Sequence, residues 1–236
     1  MSNNYFNFKQ FTINQGRCAF KVGTDGVLLG ACADVTRKRK ILDIGTGTGL
    51  IALMLAQRCD AEIVALEPDF DSFIQASENI ARSKWCSRIK IEKCLLQDYY
   101  PDNPGFDLIV TNPPYFIDSL KNPDPARSAA RHNVTLTHSD ILTGAGRLLG
   151  EGGTFQLILP YAEGNVFIAE AQGDGFYCNS ILKVKSTPKS EIRRLILGFN
   201  RKKSKPAEKF LTIEKGKRHD FTEEYIALVK DFYLKL

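Results

Sequence analysis

The sequence has little of what metal centres or secreted scaffolds need. It contains three histidines and six cysteines in 236 residues, and no two cysteines form a C-x-x-C pair. Close cysteine pairs or mixed Cys/His clusters are typical of zinc sites, and dense cysteines are typical of small disulfide-bonded domains. We therefore expect reduced, mostly buried thiols and no bound metal.

Long apolar runs are also missing. No segment of the sequence approaches the ~18 consecutive apolar residues of a bilayer-spanning helix. The first residues, MSNNYF, have neither the basic start nor the apolar stretch of a signal peptide. We expect a monomeric cytoplasmic protein without membrane contact. Its residues 1–236 should form one domain, with a short N-terminal extension (1–38) and a basic C-terminal region (183–236).

Positive charge is concentrated near the C-terminus. Residues 183–218 contain thirteen basic and three acidic side chains, a surplus of ten charges in a chain whose net charge is +5. Charge segregated in this way favours a polyanion such as a nucleic acid. In the densest run we predict that Arg201, Lys202, Lys203 and Lys205 bind RNA. A solvated surface loop explains the same run equally well.

Short apolar runs alternate with segments of helical period. We expect strands at residues 40–44, 62–66, from 89, 106–110, 154–159, 180–184 and 194–199, and helices at 50–56, 71–82, 139–149 and 166–172. This alternation predicts an α/β fold, in which helices cover both faces of a mostly parallel sheet. The link at 185–191 is too short for a crossover helix, so the last two strands should pair antiparallel. The predicted architecture is a seven-stranded sheet with an antiparallel hairpin at its edge.

A glycine-rich turn follows the first of these strands. Asp43 is followed by Gly45, Gly47 and Gly49, and glycines in such a turn let a ligand approach the backbone closely. A dinucleotide fingerprint would place its third glycine at position 50, which is Leu50. The G-x-G-x-G spacing after an acidic residue instead resembles the first motif of class I S-adenosylmethionine methyltransferases. That resemblance implies a Rossmann-like fold and S-adenosylmethionine as the cofactor.

Three further residues are candidate cofactor contacts. Glu67, at the tip of the second strand, can accept hydrogen bonds from both ribose hydroxyls, although an acidic residue there also suits NAD enzymes. Asp98, after the third strand, is a candidate partner for the adenine amine of the cofactor, or it caps the loop that follows. Thr24, beside Asp25, is placed to approach the methionyl end, and helix capping explains both residues as well.

Asn112-Pro113-Pro114-Tyr115 ends the fourth strand. Two consecutive prolines fix the backbone and remove two N–H donors, so that carbonyl oxygens stay free to accept. The amide oxygen of Asn112 and the carbonyl of Pro113 can accept hydrogen bonds from one amine, and Tyr115 can stack on a flat base. Acceptors arranged for a nitrogen that becomes tetrahedral favour the transition state over the ground state. The motif predicts a catalytic site that methylates a planar nitrogen.

The same four residues resemble the N-P-P-Y group of class I methyltransferases, which act on exocyclic amines of bases or on glutamine amides. Four other stretches are similar to the bacterial tRNA(1)(Val) adenine-N(6)-methyltransferase family, and they are FKQF at 8–11, KVGTDGVLLG at 21–30, ARH at 130–132 and GG at 152–153. The resemblance covers roughly the first 160 residues well and the rest in outline. It implies methylation of the exocyclic amine of an adenine next to the anticodon of a valine tRNA.

Other functions fit the sequence less well. Protein-glutamine methyltransferases of release factors share N-P-P-Y but carry a helical domain ahead of the sheet, for which about forty residues are too few. An rRNA guanine exocyclic-amine methyltransferase is a further alternative, whose members often have longer, duplicated chains. The glycine spacing disfavours an NAD-dependent oxidoreductase, and a non-catalytic RNA-binding module has no need of N-P-P-Y.

Overall fold

The computed structural model describes residues 3–114 and 136–235. In chain order, its elements are β1 (Tyr5–Asn7), β2 (Thr12–Asn14), α1 (Thr24–Cys32), β3 (Lys40–Ile44), α2 (Leu50–Arg58), β4 (Glu62–Leu66), α3 (Phe70–Ala81), β5 (Ile89–Glu92), β6 (Phe106–Thr111), α4 (His138–Leu148), β7 (Leu149–Pro160), α5 (Tyr161–Gly173), β8 (Tyr177–Lys185), β9 (Ile192–Asn200), β10 (Ala207–Thr212) and α6 (Glu223–Val229). Short 3-10 turns occupy Cys86–Arg88 and Leu96–Asp98.

Eight strands form the main sheet, in the order β10-β8-β9-β7-β6-β3-β4-β5. All neighbours are parallel except β9, which runs antiparallel to both β7 and β8. The predicted α/β class and the antiparallel pair are confirmed. The predicted count of seven strands and the edge position of the hairpin are wrong, because β10 pairs with β8 and forms the edge itself.

Strand β10 has no recognisable hydrophobic pattern in the sequence, and the reason is physical. Its first four side chains are exposed, and among its six residues only Leu211 is buried. An edge strand that buries so little surface carries almost no alternation of apolar and polar residues. By contrast, four of the five residues of β3 are buried, and so are the first seven of α2, which is why both were predictable.

The N-terminal extension packs against the C-terminal end of the chain. Strands β1 and β2 pair as an antiparallel hairpin, which the sequence pattern did not predict. The ring of Phe8 lies 4.7 Å from that of Phe11 and 5.8 Å from that of Tyr233. The amide of Lys9 donates a 2.8 Å hydrogen bond to the carbonyl of Phe232. Within the two described ranges, no helix is both long and apolar enough to cross a membrane.

Candidate active site

The ends of three central strands bring the predicted cofactor and catalytic residues together. Ile44 at the end of β3 is in register with Leu66 of β4 and with Thr111 of β6. The glycine turn, Glu67 and Asn112 each come directly after one of these strands, so they share one edge of the sheet. We call it the carboxyl edge, because the parallel strands end there. Ligands of open α/β sheets bind beyond this edge.

The glycine turn leaves space for a ligand. Gly45, Gly47 and Gly49 have φ angles of 69°, 58° and 82°, in the left-handed region that other residues rarely adopt. The amides of Gly45 and Thr46 both donate to the carbonyl of Leu66, at 2.9 and 3.0 Å. A Cβ atom at Gly45 or Gly47 would meet no atom within 4 Å. Hydrogen bonds to β4 therefore fix the backbone of the turn, and the space next to Gly45 and Gly47 is open.

Glu67 is joined to this turn. Its Oε2 accepts a 2.8 Å hydrogen bond from the amide of Gly47, and its Oε1 accepts one of 3.0 Å from the amide of Asp69. Burial raises the pKa of the Glu67 carboxyl, and the two amides partly oppose that rise. A carboxylate has about four acceptor sites, so about two remain for a ligand that donates hydrogen bonds.

Asp43 lies fully buried at the start of the glycine motif. Its Oδ2 accepts a 2.6 Å hydrogen bond from the Thr46 hydroxyl and a 3.2 Å bond from the Ala52 amide. Burial raises the pKa of this carboxyl to about 7, although both hydrogen bonds act to lower it. Its other oxygen, Oδ1, is buried and has no hydrogen-bond partner in the described part of the chain. A buried acceptor without a partner is the kind of group that a donor or cation of a ligand can satisfy.

Asn79 supports the turn from beneath and was missed in the sequence. Its side chain is 1% exposed, and its Nδ2 donates to the carbonyls of Thr48 at 2.9 Å and Asn14 at 2.8 Å. Its Oδ1 accepts from the Asn14 amide at 2.9 Å. One side chain thus joins α3, the glycine turn and the N-terminal hairpin. A single asparagine in an amphipathic helix has no sequence signal that separates it from a surface residue.

The N-P-P-Y motif begins on a tethered strand end. The hydroxyl of Thr111 donates a 3.0 Å hydrogen bond to the carbonyl of Ile44 in β3. Asn112 is half-buried and Pro113 is buried. A Cβ atom at Gly26 would lie 3.9 Å from Nδ2 of Asn112, so the start of α1 lies beside this amide. Pro114 is exposed.

Some of the residues in the sequence predictions lie outside the described ranges. Tyr115, the last residue of the motif, is among them, as is the ARH stretch at 130–132. Their predicted roles stay predictions.

The structure places Thr24 and Asp98 at exposed positions. Thr24 is the first residue of α1, whose N-cap is Gly23 without a side-chain hydrogen bond, so the capping alternative is wrong for Thr24. Its neighbour Asp25 forms a 2.8 Å ion pair with Arg194. Asp98 ends the turn Leu96–Asp98, which Arg147 holds by a 2.8 Å hydrogen bond to the Leu96 carbonyl. For Thr24 and Asp98 alike, cofactor contact stays a prediction.

The four residues predicted to bind RNA follow β9. Because β9 runs antiparallel to β7, and β7 is parallel to β6, residues 201–205 lie at the sheet edge opposite to Asn112. The guanidinium of Arg201 lies 4.1 Å from the ring centroid of Phe176 and donates a 3.0 Å hydrogen bond to the carbonyl of Asp174. Arg201, Lys202, Lys203 and Lys205 are all exposed, but the guanidinium of Arg201 is held against Phe176 and Asp174. RNA binding by this run stays a prediction.

One histidine contacts two carboxylates between α4 and α5. His138 lies between Glu163, at 3.2 Å, and Glu170, at 2.6 Å, and it joins α4 to α5. In residues 3–114 and 136–235 there is no group of three His, Cys, Asp or Glu side chains arranged to hold a metal ion.

The sequence is similar to known proteins along its whole length. Residues 19–164 match the model of the methyltransferase small domain. The chain is 47% identical to the tRNA1(Val) (adenine(37)-N6)-methyltransferase of Trichodesmium erythraeum and 48% identical to that of Phocaeicola vulgatus, over the full length of each pair.

Solved structures show the same fold at low identity. A predicted O-methyltransferase from Agrobacterium tumefaciens superimposes with a TM-score of 0.65 at 19% identity, over 88% of this chain and 96% of that one. The glycopeptide N-methyltransferase MtfA, in complex with S-adenosyl-L-methionine, gives a TM-score of 0.56 at 14% identity, over 78% of this chain and 90% of that one.

Because residues 19–164, more than half of the chain, match the methyltransferase small domain, this open α/β sheet with its glycine turn and Glu67 is that of a class I methyltransferase. More narrowly, the chain belongs to the tRNA1(Val) (adenine(37)-N6)-methyltransferase family.

Proposed function

We propose that this chain methylates the exocyclic amine of an adenine in tRNA, with S-adenosylmethionine as the methyl donor. The observation that carries the proposal is the position of Asn112 and Pro113 at the same sheet edge as the open glycine turn. The full-length relatives named for adenine 37 of tRNA1(Val) support the substrate, which would be the adenine next to the anticodon.

The residues of the carboxyl edge fit the proposed cofactor. The open space above Gly45 and Gly47 admits a ligand to the backbone, and Glu67 retains acceptor capacity for the two ribose hydroxyls. The unpartnered Oδ1 of Asp43 suits the cationic amino-acid end of S-adenosylmethionine, because a positive charge stabilises a buried carboxylate. When bound, this cofactor supplies an electrophilic methyl group on its sulfonium.

Asn112 and Pro113 would act on the substrate amine. The amide oxygen of Asn112 and the carbonyl of Pro113 accept hydrogen bonds from the attacking nitrogen and hold it in line with the methyl group. Acceptors placed for a tetrahedral nitrogen would favour the transition state, so the contribution would be to orientation and transition-state stabilisation. The target adenine must leave its stack to reach them, and we propose that Tyr115 stacks on its face. No strong base is required, since the methylated amine loses its proton readily.

The full-length relatives favour this function over release-factor methylation, because they are named for adenine 37 of tRNA1(Val). That the protein is cytoplasmic, monomeric and made of one domain stays a prediction.

Identification of the methylated product tests the proposal. The protein would be incubated with labelled S-adenosylmethionine and total tRNA, and the nucleosides would be separated by mass spectrometry. We expect N6-methyladenosine in tRNA from the unaltered protein. Methyl-guanine in RNA, or methyl-glutamine in a release factor offered in parallel, would contradict the adenine assignment.

A further inference from the structure

Six basic side chains stand at the carboxyl edge, beside the strands farthest from the glycine turn. We define this basic rim by its members, which are Lys185, Lys189, Arg193, Lys215, Lys217 and Arg218. They lie at or between the end of β8 and the start of β9, and in the loop that follows β10. Because β8 and β10 run in the same direction as β6, both loops project from the edge that carries Asn112.

Strand register relates the basic rim to the catalytic motif. Leu197 of β9 pairs with Leu157 of β7, which pairs with Thr111 at the end of β6. Arg193 lies four residues from Leu197 toward the carboxyl edge, and Arg201 lies four residues in the other direction. At ~3.3 Å per residue these two arginines are about 26 Å apart along β9, and β9 is two strand spacings of ~4.8 Å from β6. The rim therefore lies at the same edge of the sheet as the catalytic motif, whereas residues 201–205 lie at the opposite edge.

The two loops that carry the rim are held to each other. The amide of Ile213 donates a 3.0 Å hydrogen bond to the carbonyl of Lys185, and the amide of Glu214 donates one of 2.9 Å to the carbonyl of Ser186. These bonds continue the pairing of β10 with β8 past the ends of both strands. The basic side chains are thus displayed on a fixed backbone, and a partner that binds them has less chain to order.

Several of these charges are available to a ligand. Lys189, Arg193 and Lys217 are exposed, and within the described residues none of them takes part in an ion pair. The acidic neighbour Glu214 accepts a 2.8 Å hydrogen bond from the amide of His219, so its carboxylate is held within its own loop. Exposed cations without an acidic partner are the groups that bind phosphates and release their counterions.

We propose that the basic rim binds backbone phosphates of the anticodon stem-loop of the substrate tRNA, a few nucleotides to one side of the target adenine. This inference rests on the function proposed above. Interactions between exposed charges fade over about 8 Å at physiological salt. Cations at the opposite edge are therefore too far from a nucleotide held at Asn112. The rim lies on the same side of the sheet as Asn112, two to four strand spacings of ~4.8 Å from β6, where phosphates a few nucleotides along the RNA can reach it. Phosphate contacts of this kind fix the register of the nucleic acid without reading its sequence.

Two triple variants separate the surfaces. The rim variant is Lys189→Ala, Arg193→Ala, Lys217→Ala, and its matched control is Lys202→Ala, Lys203→Ala, Lys205→Ala at the opposite edge. Each removes three exposed positive charges. The affinity of each for a short anticodon stem-loop RNA would be measured by fluorescence anisotropy over a range of salt concentrations.

The rim variant should bind the RNA at least tenfold more weakly. The slope of its plot of log affinity against log salt concentration should become shallower by about 2 to 3, because each lost phosphate contact contributes roughly 0.7–0.9 to the slope. A charge-preserving variant, Lys189→Arg, Arg193→Lys, Lys217→Arg, should retain the affinity. Equal losses in the rim variant and the opposite-edge control, or a larger loss in the control, would overturn the proposal.

Product analysis separates failure of this inference from failure of the proposed function. If the unaltered protein forms N6-methyladenosine in tRNA but the rim variant binds RNA as the control does, only the rim is refuted. If the unaltered protein forms no N6-methyladenosine, the proposed function fails, and the assignment of the rim to the tRNA phosphates fails with it.

Discussion

The side-chain amide of Asn79 donates a 2.9 Å hydrogen bond to the backbone carbonyl of Thr48, two residues before the helix α2 begins. The same side-chain amide also forms hydrogen bonds with the backbone N–H and the backbone carbonyl of Asn14 in the N-terminal hairpin. The loop that we assign to the cofactor is therefore fastened to α3 and to the hairpin through one buried residue.

Replacement of Asn79 should loosen the glycine turn. Asn79→Ala leaves the buried carbonyl of Thr48 and the partly buried amide of Asn14 without these partners. The cost should be about 1–3 kcal/mol for a fully buried group and less for the amide of Asn14. We expect a lower free energy of unfolding and weaker binding of S-adenosylmethionine, measured by urea denaturation and calorimetry. Asn165→Ala, which removes an exposed bond to the Tyr161 carbonyl in α5, is the matched control. Equal effects of the two substitutions would contradict a special role for Asn79.

How much of this site the sequence predicts depends on the kind of signal each part carries. The glycine turn and Glu67 follow strands with continuous apolar runs, and the edge they share follows from parallel topology alone. The tether at Asn79 depends on a contact between residues 65 positions apart, for which a single sequence has no pattern.

The fold shows the same division. Strands buried on both faces, such as β3 and β6, were predicted within one residue, because most of their buried positions carry apolar side chains. The edge strand β10 and the short β1 and β2 bury too little for any period to appear.

The GG stretch at 152–153 has a local cause, since Gly152 has a φ of 69° and a Cβ atom at Gly153 would lie 2.7 Å from the carbonyl oxygen of Phe106.

Glu67→Gln should weaken the cofactor site while it preserves the shape of the side chain. A glutamine offers one acceptor oxygen where the carboxylate offers two, so the amide of Gly47 or that of Asp69 must lose its bond. We expect the affinity for S-adenosylmethionine to fall at least tenfold, since a lost hydrogen bond to a charged group costs about 1.5–3 kcal/mol. Isothermal titration calorimetry measures this change. Glu62→Gln, at the exposed start of the same strand, is the control, and an equal fall there would refute the assignment.

The elevated pKa of Asp43 predicts a pH-dependent stability in the absence of ligand. Its pKa of about 7 in the folded protein exceeds the ordinary value of about 3.9 expected after unfolding. Between these values the folded state binds more protons, so the contribution of Asp43 to stability is complete below about pH 4 and is lost as the pH rises through 7.

Asp43→Asn isolates this contribution, because asparagine resembles the protonated acid and does not titrate. We expect the melting temperature of the unaltered protein, relative to that of the variant, to fall between pH 5 and 7 and to level off by pH 8. A difference that stays constant over this range would show that Asp43 is ionised throughout. If Oδ1 faces the cationic end of S-adenosylmethionine, cofactor binding by the unaltered protein should strengthen over the same pH range, and the variant should lack that rise.

The sharpest prediction concerns Asn112, on which the proposed chemistry depends. Asn112→Ala removes an acceptor that acts on the substrate amine, and a lost transition-state hydrogen bond of this kind costs about 10²–10³ in rate. The protein should stay folded, and its affinity for S-adenosylmethionine should change little, because the glycine turn and Glu67 are intact. Single-turnover methylation of tRNA, at saturating cofactor and RNA, measures the chemical step separately from binding.

Asn112→Asp distinguishes an acceptor from a merely structural side chain. Aspartate has nearly the shape of asparagine and keeps an oxygen that accepts from the reacting amine, whereas alanine keeps none. If Asn112 acts as an acceptor, the Asp variant should retain clearly more single-turnover activity than the Ala variant. If Asn112 instead served through its amide nitrogen, which lies towards Gly26 of α1, both variants would lose that donor and would be impaired alike. Equal impairment in the two would therefore remove Asn112 from the catalytic acceptors and leave the carbonyl of Pro113 as the candidate.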